Sequence, residues 1–127
     1  QFINLISKNS NFKADKIGEN NIIFEYNNIQ KGVEIGNNCI FWSGNHIGHH
    51  SKIGNNCFIS SHVVISGSVN LGDNTFIGVN STIRDNVTIG DKCIVGPSSI
   101  ILKNLSSNSV IRPKQSEISK VSSDKII

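Results

Sequence analysis

Methionine is absent from this chain of 127 residues, and proline occurs only twice. So little proline argues against a disordered linker. No apolar run approaches the roughly 18 residues of a membrane span, and no signal peptide is recognisable, so we expect a cytoplasmic protein with no membrane partner. Because translation starts at methionine and this chain starts at Gln1, we also expect that it was processed or cut from a longer protein.

The excess of positive over negative charge is also small, with a net charge of only +3. The whole excess falls between residues 103 and 127, where five basic residues outnumber Glu117 and Asp124. This end of the chain either meets phosphate groups or is a solvated tail. A nucleic-acid partner is not expected, because there is no basic stripe with interleaved stacking aromatics.

What the sequence does contain is a six-residue repeat. Fifteen positions spaced six apart, from residue 17 to residue 101, all carry a large apolar side chain. They are Ile17, Ile23, Ile29, Ile35, Phe41, Ile47, Ile53, Ile59, Ile65, Leu71, Ile77, Ile83, Ile89, Val95 and Ile101. An α-helix, with 3.6 residues per turn, does not return to one face every six residues. The pattern therefore predicts an all-β fold in which each repeat is a short strand and a turn.

A second period, three repeats long, lies over the first. Every third repeat begins with an apolar residue and glycine, as in IGENNI, IGNNCI and LGDNTF, so three repeats make one triangular coil. Such coils stack through parallel backbone hydrogen bonds about 4.8 Å apart. We predict a parallel β-helix of about five coils over residues 17–106, a lead-in over 1–16 and a tail over 107–127. Glycine, asparagine and aspartate are expected to supply positive φ at the turns.

The three cysteines share one position in the repeat. Cys39, Cys57 and Cys93 each stand four residues after an axis position and fall in the same column of the triangle, where small or β-branched residues are common. We interpret them as packing residues. They show neither a C-x-x-C motif nor a metal-ligand spacing, and a nucleophilic thiol needs an exposure and a lowered pKa that this position does not favour.

The pattern [LIV]-G-x-x-[small]-x over fifteen repeats resembles that of the hexapeptide-repeat acyltransferases. The resemblance implies a left-handed parallel β-helix, usually a homotrimer. The N-terminal stretch QFINLISKNSNF resembles the junction that follows a Rossmann-like domain in this family, which implies that such a domain is absent or lies upstream. Phe24 and Trp42 are expected to stack outside the axis, where they dock that domain or a neighbouring subunit.

All four histidines lie between positions 46 and 62. The repeat places His49 and His50 together at one corner of the triangle, His62 at another corner and His46 on an outward-facing strand position. None stands at an axis position, so core packing is not their expected role. Histidine suits either a metal site or a general base that works near neutral pH.

The spacing disfavours the metal site. The γ-class carbonic anhydrases share the predicted fold and bind zinc through three histidines, and their sequence pattern has two histidines five positions apart. No pair in this chain has that separation. His49 and His50 are neighbours on a turn, and we expect their side chains to diverge. We therefore predict no metal.

The run GNHIGHHSKIGNNCFISSHVVISGSVNLGDNTFIGVNSTI resembles the core of the bacterial nucleotide-sugar and sialic-acid acetyltransferases. The catalytic histidine of that family falls on His49, and its last glycine falls on Gly67, one coil further on. The resemblance implies that His49 is the general base and that the Gly67 N–H holds the thioester oxygen. His50 replaces an acidic residue that orients the family histidine, so it is either a helper or itself the base. His46 is a second candidate helper or substrate contact, and His62 contacts substrate or is merely a corner residue.

Two later stretches, FIGVNSTI and IVGPSSIILKNL, resemble the family segments whose backbone amides hold the pantetheine arm of coenzyme A. The matching positions are Gly78, Val79, Gly96 and Pro97. Pro97 has no N–H, so any contact from it uses its carbonyl or its ring. The alternative is that these glycines serve turn geometry alone.

Together these features predict an acetyl-CoA-dependent acyltransferase. Its acceptor would be an amino or hydroxyl group of a nucleotide-linked sugar for surface polysaccharide or glycan synthesis, with active sites between subunits of a homotrimer. The alternatives are a non-catalytic trimeric β-helix scaffold and, less favoured, a zinc protein similar to the γ-carbonic anhydrases.

Overall fold

Two-residue strands alternate with tight turns along almost the whole chain in the computed structural model, which describes residues 2–127. The strands are β1 (Leu5–Ile6), β2 (Asn11–Phe12), β3 (Lys16–Ile17), β4 (Ile22–Ile23), β5 (Asn28–Ile29), β6 (Glu34–Ile35), β7 (Ile40–Phe41), β8 (His46–Ile47), β9 (Lys52–Ile53), β10 (Phe58–Ile59), β11 (Val64–Ile65), β12 (Asn70–Leu71), β13 (Phe76–Ile77), β14 (Thr82–Ile83), β15 (Thr88–Ile89), β16 (Ile94–Val95), β17 (Ile100–Ile101) and β18 (Val110–Ile111). A short 3-10 helix, Ser123–Lys125, lies in the tail. Within residues 2–127, no helix is both long and apolar enough to cross a membrane.

Three parallel sheets form the sides of a triangular prism. Sheet 1 contains β1, β4, β7, β10, β13, β16 and β18; sheet 2 contains β2, β5, β8, β11, β14 and β17; sheet 3 contains β3, β6, β9, β12 and β15. The chain runs from sheet 1 to sheet 2, then to sheet 3, and back to sheet 1. Each coil therefore turns at three corners, which are named after the two sheets that they connect: the 1–2, 2–3 and 3–1 corners. The all-β parallel β-helix predicted from the repeat is therefore confirmed.

The helix has about six turns rather than the predicted five. The additional strands are β1 and β2 at the beginning and β18 at the end. Their register departs from the strict period of three repeats. The coil that pairs Leu5 with Ile22 is one residue short, and the coil that pairs Ile94 with Val110 is two residues short. A count in steps of six cannot follow such coils.

The apolar positions of the repeat form the core. All of them are buried except Ile17, which is half-buried. Ile6, Phe12, Leu105 and Ile111 extend this core at the two ends. The three cysteines lie inside as predicted and are unpaired and buried.

Buried asparagines, which the repeat did not predict, join the first coils. Asn21, Asn27 and Asn45 occupy the slot that later coils fill with small residues, and none is more than 2% exposed. The Asn21 side chain accepts from the Cys39 N–H at 2.8 Å and donates to the Gly36 carbonyl at 2.9 Å. Each such pair of hydrogen bonds satisfies a buried amide and ties one coil to the next.

Positive φ belongs to the corner residues and mostly not to the glycines. Within residues 2–127, it occurs at each non-glycine corner position from Asn20 (58°) to Ser98 (56°) and at two glycines, Gly32 and Gly44. The glycine after the apolar residue has a different reason, since a Cβ at Gly78 would lie 2.6 Å from the Pro97 backbone nitrogen. The expectation that these repeat glycines supply positive φ is wrong, because close approach of adjacent coils requires them.

The three outward faces differ in chemistry. Sheet 1 presents an entirely apolar row, sheet 2 begins polar and ends largely apolar, and sheet 3 is charged and polar. The rows are Leu5, Ile22, Ile40, Phe58, Phe76, Ile94 and Val110 on sheet 1; Asn11, Asn28, His46, Val64, Thr82 and Ile100 on sheet 2; and Lys16, Glu34, Lys52, Asn70 and Thr88 on sheet 3.

Candidate functional site

His49 and His50 lie at the 2–3 corner, between β8 and β9, and both are exposed. Their Nδ1 atoms are 3.1 Å apart, and their rings meet edge to face with centroids 5.4 Å apart. The predicted divergence of the two side chains is only partial, because their Nδ1 atoms face each other although the two rings pack on opposite coils, His49 on Gly67 and His50 on Gly32. His50 has a left-handed backbone conformation with φ of 59°, and a single proton between the two Nδ1 atoms can link the rings.

The His49 ring lies against Gly67 on the next coil, at the same corner. A Cβ on residue 67 would be 2.6 Å from His49 Nε2 and 2.7 Å from Cε1, so any larger residue there would displace the ring from this position. The Ser68 N–H donates to the His49 carbonyl at 2.9 Å. Within residues 2–127, the Gly67 N–H has no hydrogen-bond acceptor, which leaves it available beside the imidazole.

Each of the three corner histidines packs on a glycine of an adjacent coil. A Cβ at Gly32 would lie 2.5 Å from His50 Cδ2, and a Cβ at Gly44 would lie 2.8 Å from His62 Cε1. His50 and His62 therefore point toward the N-terminal coils, whereas His49 points toward the C-terminal ones. His62 lies at the 1–2 corner, away from the other two.

His46 is on the outward face of sheet 2, as predicted, and belongs to a polar ladder. The Asn11 Nδ2 donates to Asn28 Oδ1 at 3.0 Å, and Asn28 Nδ2 lies 3.5 Å from His46 Nδ1. In this arrangement His46 Nδ1 accepts and Nε2 carries the proton. His46 makes no hydrogen bond with His49 within residues 2–127, so the ladder orients it separately.

Gln30 is a member of the site that the repeat did not reveal. Its Oε1 accepts from the His49 N–H at 2.8 Å, which anchors the backbone of the candidate base to the coil below. Gly32 is a second such residue, since it makes room for His50. The sequence offered one signal for these contacts, since each corner histidine stands three repeats before or after a glycine.

The positions matched to coenzyme A lie at the 1–2 corner, across sheet 2 from His49. The Gly78 N–H donates to the Val95 carbonyl at 2.7 Å, and the Gly96 N–H donates to the Ile111 carbonyl at 2.8 Å. Pro97 has no N–H, so Val79 is the one of the four whose N–H has no acceptor within residues 2–127. A single chain does not bring this set together with His49 and Gly67.

Side-chain pKa values are shifted at two places away from the histidines, at Glu25 and at Cys57. The Ser43 hydroxyl, which donates to Glu25 Oε1 at 2.7 Å, and the Glu25 backbone N–H lower the pKa of that carboxyl. The neighbouring Cys39 thiol and burial raise the pKa of Cys57 well above its usual range. Neither place is at the 2–3 corner. Within residues 2–127, no three histidine, cysteine, aspartate or glutamate side chains are grouped to hold a metal ion.

The pair His49 and Gly67 has the parts that acyl transfer requires. An imidazole nitrogen can accept a proton from a nucleophile, and a free N–H beside it can donate to an oxygen that gains charge. When His49 Nδ1 holds the proton shared with His50, its Nε2 carries a lone pair and faces the Gly67 backbone.

Comparison with known families decides the assignment. A model described as "Bacterial transferase hexapeptide (six repeats)" matches residues 16–49 and 68–103, and a model described as "Hexapeptide repeat of succinyl-transferase" matches residues 50–74. The chain belongs to the hexapeptide-repeat bacterial transferases. The predicted left-handed β-helix of that family is thereby confirmed. No curated protein matched this hexapeptide-repeat chain.

Solved structures with the same fold include sugar acetyltransferases. PerB from Caulobacter crescentus, in complex with CoA and GDP-perosamine, is 23% identical, with a TM-score of 0.82 over 86% of this chain and 53% of that chain. The acetyltransferase domain of PglB from Neisseria gonorrhoeae is 18% identical, with a TM-score of 0.78 over 82% and 51%. A mutant of AntD, an N-acyltransferase from Bacillus cereus in complex with dTDP and coenzyme A, is 20% identical, with a TM-score of 0.65 over 98% and 87%. The hexapeptide chain thus spans about half the length of the first two.

Proposed function

We propose that this hexapeptide-repeat chain transfers an acetyl group from acetyl-CoA to an amino or hydroxyl group of a nucleotide-linked sugar in the cytoplasm, for surface polysaccharide or glycan synthesis. The observation that carries the proposal is the contact between the His49 ring and Gly67. Structures of the same fold that hold CoA with GDP-perosamine or with dTDP support the two substrate classes.

In the proposed reaction His49 Nε2 accepts the proton of the attacking amine or hydroxyl group. The new bond forms between that nitrogen or oxygen and the thioester carbonyl carbon, and the Gly67 N–H stabilises the oxyanion. Collapse of the intermediate breaks the carbon–sulfur bond, and the proton on His49 passes to the leaving CoA thiolate. His50 acts through its Nδ1, which holds the proton on His49 Nδ1 and leaves Nε2 free.

A homotrimer would complete this site. If the 3–1 corner of each triangular prism faces a threefold axis, the 1–2 corner of one copy lies beside the 2–3 corner of the next. Val79 of one copy would then approach His49 of its neighbour. The assembly would also cover the apolar row of sheet 1, which includes Phe76 at 38% and Ile94 at 50% exposure, a surface that water solvates poorly.

Calorimetric titration of the purified chain with acetyl-CoA, with and without a chelator, tests the proposal. Micromolar binding at about one site per subunit, unaffected by the chelator, supports it and justifies an acetyl-transfer assay on nucleotide amino-sugars. No binding by an intact trimer contradicts the enzyme and favours the scaffold. Loss of binding only with the chelator would instead point to a metal protein.

Light scattering tests the assembly. We expect a mass three times the 13.8 kDa of the chain. In this arrangement sheets 1 and 3 of adjacent copies face each other and sheet 2 faces outward, so Ile94→Glu on the apolar row should dissociate the trimer, whereas Thr82→Glu on sheet 2 should not. Mixing inactive His49→Ala copies with copies blocked by Val79→Trp should restore activity if the site is shared, and should restore none if each chain is complete by itself.

A further inference from the structure

A cleft of about 410 Å³ lies directly beside His49, on the side of the N-terminal coils. Its six lining residues come from sheet 2 and from the 2–3 corner. They are Asn11, Lys13, Asn28, Gln30, Lys31 and His49. This volume falls within the range of small-ligand sites and accommodates a sugar with a phosphate group.

The floor of the cleft is held in place by hydrogen bonds. Asn11 donates to Asn28 at 3.0 Å, and Gln30 Oε1 accepts from the His49 N–H. The Gln30 amide oxygen is therefore engaged, and its NH₂ group remains a donor. A cleft that is anchored to the backbone of the candidate base places a ligand at a defined distance from that base.

The charge of the cleft is positive. Lys13 and Lys31 line it, and no carboxylate does. The carboxylate of Asp15 accepts from the Gly32 N–H at 3.0 Å. The outward row of sheet 2 carries no acidic residue, so the two lysines outnumber the Asp15 carboxylate at this corner, and the complementary ligand is an anion.

We propose that this cleft is the acceptor subsite and that Lys13 and Lys31 bind a phosphate group of the acceptor. The inference rests on the proposed acetyl transfer. It assigns opposite sides of His49 to the two substrates: the phosphorylated acceptor enters over the N-terminal coils, and the thioester lies toward Gly67 on the C-terminal side. Gln30 connects acceptor binding with the positioning of the base, because it accepts a hydrogen bond from the His49 N–H and also lines the cleft.

Binding of phosphate probes to the full chain, saturated with CoA so that the coenzyme site is filled, tests the inference. The probes are inorganic phosphate, glucosamine 1-phosphate and uridine diphosphate, which separate a free phosphate from a sugar phosphate and from a nucleotide. The test variant is Lys13→Gln/Lys31→Gln. The matched control is Lys120→Gln/Lys125→Gln, which removes two lysines of equal charge from the exposed C-terminal tail, outside the cleft and the proposed interface.

We expect the test variant to bind the preferred phosphate probe at least roughly tenfold more weakly, because each charge-assisted hydrogen bond contributes about that factor. The control should bind as the unmodified chain does. Equal weakening in both variants, or unchanged binding in the test variant, would overturn the inference.

Acetyl-CoA binding by the same variants separates this inference from the proposed function. If the unmodified chain binds acetyl-CoA and no phosphate probe, the acetyl transferase stands and the subsite is wrong. If the test variant retains acetyl-CoA binding and loses the phosphate probe, the subsite is supported. If the unmodified chain binds the probes through Lys13 and Lys31 but binds no acetyl-CoA, the anion cleft stands and the transferase proposal fails.

Discussion

The Nδ1 atoms of His49 and His50 lie 3.1 Å apart. These two nitrogens form a hydrogen bond only when one of them carries a proton and the other accepts it, so the protonation of His50 restricts the tautomer of His49. If His50 binds a second proton, its Nδ1–H donates to His49 Nδ1. The proton of His49 then lies on Nε2, and Nε2 has no lone pair left to accept a proton from the attacking group. An acidic residue at position 50 would accept the Nδ1–H of His49 without this competing state.

Removal of the candidate base is the first prediction. His49→Ala should lower kcat by roughly 10² to 10⁴, the usual contribution of a general base, while the Kd for acetyl-CoA stays nearly constant. Steady-state kinetics of acetyl transfer measures it. Thr82→Ala, on the exposed outward face of sheet 2, is the control. Near-normal turnover by His49→Ala would transfer the role of base to His50.

Replacement of His50 tests how it acts. His50→Asp should retain or raise kcat, because a carboxylate orients His49 and stabilises its imidazolium form. His50→Asn should fall below it, because the amide oxygen accepts without a charge. Aspartate and asparagine both tolerate the positive φ of this position, so the pair is matched in backbone effect. Equal kcat–pH profiles for the two variants and the unmodified chain would exclude a positioning role.

A methyl group at Gly67 should displace the His49 ring. We expect Gly67→Ala to lower both kcat and Tm, because its Cβ would lie 2.6 Å from His49 Nε2. In the His49→Ala background that space is empty, and the same change should cost far less stability. A thermal-unfolding double-mutant cycle measures the coupling. Additive effects would show that the glycine has another purpose.

The three thiols should be unreactive in the folded protein. Each is buried, and Cys57 Sγ donates to the Gly72 carbonyl at 3.1 Å. Its raised pKa keeps the reactive thiolate scarce. An aromatic disulfide reagent should therefore label no cysteine at neutral pH before denaturation and all three afterwards. Rapid labelling of the native chain would contradict the inward placement.

Glu25 should titrate below its usual range because Ser43 donates to it, which lowers the carboxyl pKa. A lowered folded-state pKa means that the stabilising contribution is present above the unfolded pKa and is lost as the pH falls through the folded value. Ser43→Ala should raise the pKa of Glu25, and its Tm deficit at neutral pH should vanish in acid. NMR titration of the carboxyl carbon measures the shift; an identical pKa in the variant would refute the cause.

Much of the fold could be predicted from the sequence because the repeat is strict where adjacent coils must match. A large residue at every sixth position from Ile17 to Ile101, with an apolar residue and glycine opening every third repeat, predicts a coil of three short strands. The strands of the outer coils were not predicted, because the pairings of β1 with β4 and of β16 with β18 fall one and two residues short of three full repeats. The site was partly predictable, since the offset of three repeats between His49 and Gly67 places them on one corner.

The sequence by itself determined the prism, its buried axis and the corner on which each histidine lies, because a fixed number of residues per turn converts spacing directly into position. Only the tertiary structure decided what those side chains contact. The His49–His50 hydrogen bond, the anchoring of His49 by Gln30 and the engaged N–H groups of Gly78 and Gly96 depend on side-chain direction and on register between coils. The repeat period specifies neither the direction of a side chain nor the register between coils.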